Sequence, residues 1–361
     1  MMMKTKHALA FLCAGACLIM SACTPECSES SLFAMDTYMT FKAYGENSTE
    51  ALSQVTAEIQ RLEKLFSVTD PNSDIGRINS SLGPSDVSSE TAALIARSLE
   101  INKETNGAFD ITLYPVSKEW GFTTGSYHVP DSETINELMK QTGSDKVTVS
   151  ENIVTVSDGA QADLGGIAKG YAGQIAAEIL KENGVTSALL SLGGNIQAIG
   201  SKPDGTAWSV GIKDPENTSQ LAAAVSVCDK AVVTSGTYER FFEENGTAYC
   251  HIIDPKTGCP VQSDLLSATV IGYDGTLCDA LSTAFIVMGQ QKAEEYLNIH
   301  TDIDAVLITT DHRIFVTNGI FGDFSLIENS YSIIPHSTLI KKGERSEPDR
   351  NFPFSIFNFQ F

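Results

Sequence analysis

The spacing of apolar and polar positions predicts helices and strands in irregular succession. Over residues 49–66, "TEALSQVTAEIQRLEKLF" sets Leu52, Val55, Ile59, Leu62 and Leu65 at helical intervals behind Thr49, a suitable cap. "SSETAALIARSLEINKETNG" repeats that pattern and stops on Gly107, where glycine can adopt the left-handed backbone that ends helices. The polar run between them, "SVTDPNSDIGRINSSLGP", reads as a loop. "MDTYMTFKAYG" alternates with period two and reads as the first strand. "AFDITLYPVSKEWGF" looks extended and then turns, a third helix covers residues 134–141, and strands follow near "KVTVS" and "NIVTVSD". Glycines in "DLGGIAKGYAGQIAAEILKENG" lead into another helix. "SALLSLGGNIQAIG", "WSVGIKDP", "LAAAVSV" and "KAVVTSG" are strands separated by turns, and Gly193-Gly194-Asn195 reads as a bulge in the first of them. "LCDALSTAFIVMG" and "QKAEEYLNI" read as two helices, and "DAVLITTD" with "RIFVTN" as a closing hairpin. Helices and strands mixed without a βα repeat predict an α+β fold rather than a doubly wound sheet.

The two ends of the chain depart from this pattern. Lys4 and Lys6 precede a short apolar run and the small residues of "SAC", the layout of a signal peptide over residues 1–22. The run is too short to span a bilayer as an ordinary helix. Met20-Ser21-Ala22-Cys23 resembles a bacterial lipobox, with Met20 where Leu is usual. Lipidation of Cys23 would anchor the mature protein to the cell membrane on its extracytoplasmic side. Residues 23–32 read as a tether, 33–332 as the folded domain, and 333–361, with prolines, charges and aromatics in no period, as a tail.

Charge and cysteine content narrow the chemistry. The 361 residues carry a formal net charge of −21, which argues against nucleic acid as a partner and suits a site holding a metal cation. The eight cysteines are too scattered for a metal knuckle or a dense disulfide scaffold. Cys250 and Cys259 flank "HIIDPKTG", and a disulfide between them would span that hairpin.

Several polar constellations could carry chemistry. "HIIDPKTG" brings His251, Asp254, Lys256 and Thr257 into one turn-forming stretch. "DLGGIAKGYA" offers free backbone N–H groups at a helix start, with Asp163 and Lys169 beside them, yet it is neither a Walker A loop nor GxGxxG. In "TSGTYERFF", the small hydroxyl residues around Gly236 suit a turn that hydrogen-bonds a ligand and Arg240 could meet a phosphate; the rival reading is an ordinary turn with a surface arginine. In "CDALSTAFIVMG", Asp279 and Thr283 lie four apart on one helix face and suit a hard cation such as Mg²⁺; the rival reading makes Asp279 a helix cap. Asp110 sits among apolar neighbours and needs a partner. Trp120 and Phe122 are either core or a wall for an aromatic ring.

Taken in order, "MDT", "FSVTDPNSDIGRIN", "GAFDITLYPV…WGF", "DLGGIAKGYA", "LSLGGNIQAIG", "TSGTYER", "HIIDPKTG" and "DALSTAF" resemble the ApbE family, the FAD:protein FMN transferases. The resemblance implies an α+β domain of the T-fold type. It implies a Mg²⁺-dependent transfer of FMN from FAD to a Ser or Thr hydroxyl in the flavinylation motif of an acceptor protein, with release of AMP. Two other readings stay open: FAD hydrolysis to FMN and AMP, and a non-enzymatic FAD-binding lipoprotein. By resemblance, Asp279, Thr283 and the backbone carbonyl of Gly166 hold the metal, with Ser282 contributing indirectly. Met35, Ala108, Phe109, Asp110, Asp163 and Lys169 match positions that hold FAD, with Lys169 near phosphate or the adenosine half. His251 is either the general base toward the acceptor hydroxyl or a hydrogen-bonding contact to FAD. Asp254 either orients the imidazole or holds the turn. Asp36 stands where the family commonly has glycine.

Overall fold

The apolar runs "AVVTSG", "LLSATVIG" and "DAVLIT" are buried at nearly every position because their strands are covered on both faces. A computed structural model of the protein describes residues 26–81 and 83–335. Its main sheet has nine strands: β1 (Cys27–Ala34), β2 (Thr37–Tyr44), β3 (Ser187–Leu192), β4 (Asn195–Ile199), β5 (Ala231–Gly236), β6 (Leu265–Gly272), β7 (Asp304–Thr309), β8 (Arg313–Val316) and β9 (Ser332–Pro335). They lie side by side in chain order, each antiparallel to the next except β8 and β9, which run parallel.

Seven helices are interspersed among the described residues: α1 (Ser48–Phe66), α2 (Asp74–Ser80), α3 (Ser89–Glu104), α4 (Tyr114–Glu119), α5 (Ser132–Met139), α6 (Ala168–Glu182) and α7 (Gly275–Ile299). The strand period of two sends alternate side chains to opposite layers. Val233, Val270 and Leu307 pack with Leu281 and Phe285 of α7. Val232, Ile271 and Val306 instead meet Trp208 and Val225 of a second sheet formed by Trp208–Lys213, Leu221–Val227 and Phe324–Leu326. On the helical side, Leu52, Val55, Ile59 and Leu62 of α1 bury against Phe41 and Leu190. Each such side chain stabilises the fold by about 1.5–3 kcal/mol relative to exposure.

Several expectations change. The residues read as a tether form β1 from Cys27 onward, paired to β2 along its length. Thr49 does not cap α1: the helix starts at Ser48, and the Thr49 hydroxyl bonds Ser28 Oγ at 2.7 Å. The polar loop after α1 contains α2, because Ser73 Oγ accepts the Gly76 N–H at 2.7 Å while Ile75 and Ile78 are buried. Residues 108–122 are not a strand, and α4 begins at Tyr114 with Pro115 in its first turn, where a missing N–H costs nothing. Gly193 and Gly194 form a two-residue turn joining β3 to β4 rather than a bulge, with φ of 61° and 99°. The two C-terminal helices appear as α7, interrupted at Gly289, where φ is 74°. Ser332–Pro335 belongs to the sheet as β9, so the segment read as a tail starts inside the fold. Cys250 and Cys259 are free thiols. The signal peptide, Cys23 and residues 336–361 lie outside the described residues.

Candidate active site

A groove of about 2480 Å³ extends from the helical layer to the second sheet, and turns and loops from distant parts of the chain line it. Met35 of the β1–β2 turn lines it, with Ala108, Phe109 and Asp110 from the segment after α3. Asp163, Gly166 and Lys169 reach it from the start of α6, and His251, Asp279 and Thr283 also line it. Trp120 and Phe122 share one buried cluster, 3% and 8% exposed; Phe122 also lines the cleft, and Trp120 donates its indole N–H to the Gly258 carbonyl at 2.9 Å.

One wall forms where α6 and α7 meet. The first N–H groups of a helix have no partner within it. On α6, the Gly170 N–H donates to Asp279 Oδ2 at 2.8 Å. A side chain at Gly170 would stand 2.2 Å from the Gly275 carbonyl oxygen and 2.6 Å from Asp279 Cβ, so this close approach requires glycine. Asp279 does not cap its own helix: Asp274 does, accepting the Leu277 N–H at 3.0 Å. Asp279 is 3% exposed, and no Lys or Arg pairs with it among the described residues. One turn on, Thr283 Oγ1 lies 3.2 Å from Ser235 Oγ, a cleft residue and one of the small hydroxyls around Gly236. Ser282 Oγ points inward, donating to the Asp279 carbonyl at 2.8 Å and meeting Ser235 Oγ at 2.8 Å.

The other wall carries His251, half-buried just after the hairpin of Phe241–Glu244 and Thr247–Cys250. The Arg240 carbonyl accepts the His251 backbone N–H at 2.9 Å and lies 3.3 Å from Nδ1. A carbonyl only accepts, so the fitting tautomer carries its proton on Nδ1 and leaves Nε2 as an acceptor. Burial, reinforced by the positive charges of Arg240 and Lys169, pushes the imidazole pKa down to about 4, and the ring is neutral at neutral pH. Asp254 holds the turn and not the ring: its side chain accepts the Lys256 N–H at 2.9 Å and its carbonyl accepts those of Thr257 and Gly258. Lys256 and Thr257 are exposed and do not line the cleft.

Between the walls lie carboxyls whose charge is disfavoured by burial. Asp163 is pushed up by desolvation against the N–H of Gly165, 2.8 Å from Oδ1, and the opposing charges of Lys169 and Arg240. Lys169 itself reaches back to the Gly165 carbonyl at 3.2 Å. Burial also raises Asp110, whose Oδ1 accepts the Thr112 backbone N–H at 2.8 Å and its hydroxyl at 2.6 Å. That local turn is the partner the sequence demanded for Asp110. Asn195, 5% exposed, lines the cleft, and its buried Nδ2 has no partner among the described residues. A buried amide donor without a partner is costly.

The comparisons with known proteins agree with one another. The model of the ApbE family matches residues 35–307. The FAD:protein FMN transferase of Treponema pallidum (strain Nichols) is 35% identical over 289 residues, covering 75% of this chain and 80% of that protein. Its namesake from Klebsiella pneumoniae (strain 342) is 32% identical over 299 residues, covering 81% and 92%. Among solved structures, the ApbE protein of Thermotoga maritima superposes with a TM-score of 0.75 at 32% identity, covering 80% of this chain and 96% of that one. The flavinyl transferase ApbE of Pseudomonas stutzeri, in its apo form, gives 0.72 at 29% identity, with 79% and 92% covered. With the family model matched over most of its length and relatives this similar, the chain belongs to the ApbE family.

Proposed function

We propose that this protein transfers FMN from FAD to a Ser or Thr hydroxyl of an acceptor protein and releases AMP. The observation that carries the chemistry is one cleft lined by both a neutral imidazole and a buried carboxylate; among the described residues Nε2 of the first has no partner and no Lys or Arg pairs with the second. The names of the relatives support the substrate pair.

The acceptor oxygen attacks the phosphorus of the FMN half, its bond to hydrogen breaks, and the proton passes to Nε2 of His251. The phosphoanhydride bond breaks and AMP leaves with its electron pair. A hydroxyl is a poor nucleophile while protonated, so a positioned base accelerates such a step by about 10²–10⁴. Asn195 Nδ2, which has no acceptor among the described residues, is suited to hold a polar edge of the substrate. Lys169, on the first turn of α6, is suited to its phosphates. Asp163, Met35, Ala108, Phe109 and Asp110 would complete the FAD site.

The residues also fit Mg²⁺. No group of three or more His, Cys, Asp or Glu side chains among the described residues could hold a metal by itself. Asp279, Thr283 and Gly166 all line the cleft, and a single carboxylate, a hydroxyl and a backbone carbonyl from them would be a sparse oxygen set that leaves positions for waters and substrate phosphates, as Mg²⁺ prefers. When bound, the ion would neutralise pyrophosphate charge and stabilise the charge that develops as the bond breaks. At the N-terminus, Met20-Ser21-Ala22-Cys23 supports a mature protein lipidated at Cys23 and held on the outer side of the bacterial membrane. No helix of the described residues is long and apolar enough to cross a membrane.

The test is to incubate the protein with FAD, Mg²⁺ and a domain bearing a flavinylation-type Ser/Thr motif, following AMP and covalent flavin fluorescence on a denaturing gel. AMP together with a fluorescent acceptor band is expected. AMP without a band on any Ser/Thr acceptor would replace transfer by FAD hydrolysis, and bound FAD without AMP would leave a flavin carrier.

A further inference from the structure

The β1–β2 turn is made of Met35 and Asp36, with φ of 50° and 57°, between the paired residues Ala34 and Thr37. This two-residue geometry, with both φ values positive, is the type I′ turn, which favours glycine and asparagine. Here it carries two larger side chains, and α1 fixes it from below: Glu63 Oε1 accepts the Met35 N–H at 2.7 Å. The turn presents Asp36 to Arg240, whose Nη2 lies 3.0 Å from Asp36 Oδ2, and both residues line the cleft. Their side chains are 75% and 48% exposed, so the pair adds little to folding stability. A carboxylate kept in a conformation that glycine would adopt more easily therefore calls for another use. Arg240 supplies it, because its carbonyl is the group that accepts the His251 N–H and lies 3.3 Å from Nδ1.

We propose that Asp36 is a positioning residue: its ion pair with Arg240 joins the β1–β2 turn to the loop carrying Arg240, and so fixes the carbonyl that orients the His251 imidazole. The catalytic part of this inference rests on the reading of His251 as the base. The orientation of the ring does not. Asp36 needs no contact with the reacting atoms. It acts by holding one backbone carbonyl in place, which an exposed ion pair can do although it contributes little to stability.

Asp36→Asn removes the charge while keeping the shape and a residue that tolerates positive φ. Asp36→Gly also removes the charge and relieves the backbone, so neither variant should unfold the protein. The imidazole ¹⁵N signals of His251, identified by their loss in His251→Gln, report its tautomer. The wild type should show the Nδ1–H form and both Asp36 variants a mixture. Transfer kcat should fall about fivefold in both, with KM for FAD nearly unchanged, and Asp36→Glu should recover most of it. High salt should lower the wild-type kcat toward that of Asp36→Asn and leave the variant little affected. Wild-type tautomer and kcat in Asp36→Asn would overturn the proposal. A changed tautomer with unchanged kcat would keep the positioning role and remove His251 as the base.

Discussion

Asp279 and His251 line the same cleft but are held there by different means. Asp279 sits 3% exposed between two helices, with Gly170 donating to its carboxylate and the Gly275 carbonyl close enough to exclude any side chain at position 170. His251 lies half-buried beyond a hairpin, and among the described residues its ring bonds one carbonyl, that of Arg240. The first wall is fixed by packing, which resists small displacements. The second is fixed by a few polar contacts. That division suits a reaction whose small substrate needs a rigid anchor and whose macromolecular substrate needs access.

Three measurements would break or sharpen this contrast. The largest effect is expected from Asp279→Ala, which should lower AMP release and acceptor labelling together by on the order of 10²–10³, whatever the acceptor, while part of the FAD binding persists. Turnover at the wild-type rate would remove Asp279 from the metal site. Next, Gly170→Ala forces a methyl group against the Gly275 carbonyl and Asp279 Cβ, and overpacking of this kind costs about 1–3 kcal/mol. A clear fall in Tm is expected for Gly170→Ala and none for His251→Gln; equal Tm values would contradict the rigid-wall account. The smallest effect lies in the pH profile. Because the His251 pKa is lowered, its base form persists as pH falls through the ordinary histidine range and is lost only near about 4. The kcat/KM of the free enzyme should therefore show no histidine limb near 6.5, the unperturbed value, and an acid limb near 4 that His251→Gln abolishes.

How far the sequence could be read follows the same division. The helical stripe of α1 was legible because Leu52, Val55, Ile59 and Leu62 repeat with the helix period. Asp279 and Thr283 could be assigned to one face by their spacing alone. In contrast, α2 was hidden in a polar stretch: it is one short helix whose apolar signal is Ile75 and Ile78, and the cap at Ser73 could equally have been a turn. Asp110 looked like a strand residue because its neighbours are apolar, whereas Thr112 satisfies it in a local turn. β1 lacks clear alternation because it is an edge strand with mostly polar residues. The Arg240 carbonyl beside His251 had no signal at all, since a backbone oxygen is present at every residue and only the fold aims it. The Gly170–Asp279 contact was equally silent until α6 and α7 were brought together.

The most direct test is His251→Gln at saturating FAD and Mg²⁺, with FAD affinity read by flavin fluorescence quenching and transfer read as covalent flavin on the acceptor. Glutamine keeps a polar side chain but offers no basic nitrogen. Transfer should fall by about a hundredfold while the FAD Kd stays near that of the wild type. Equal loss of binding and transfer would make His251 a flavin-binding residue and leave the reaction without its base.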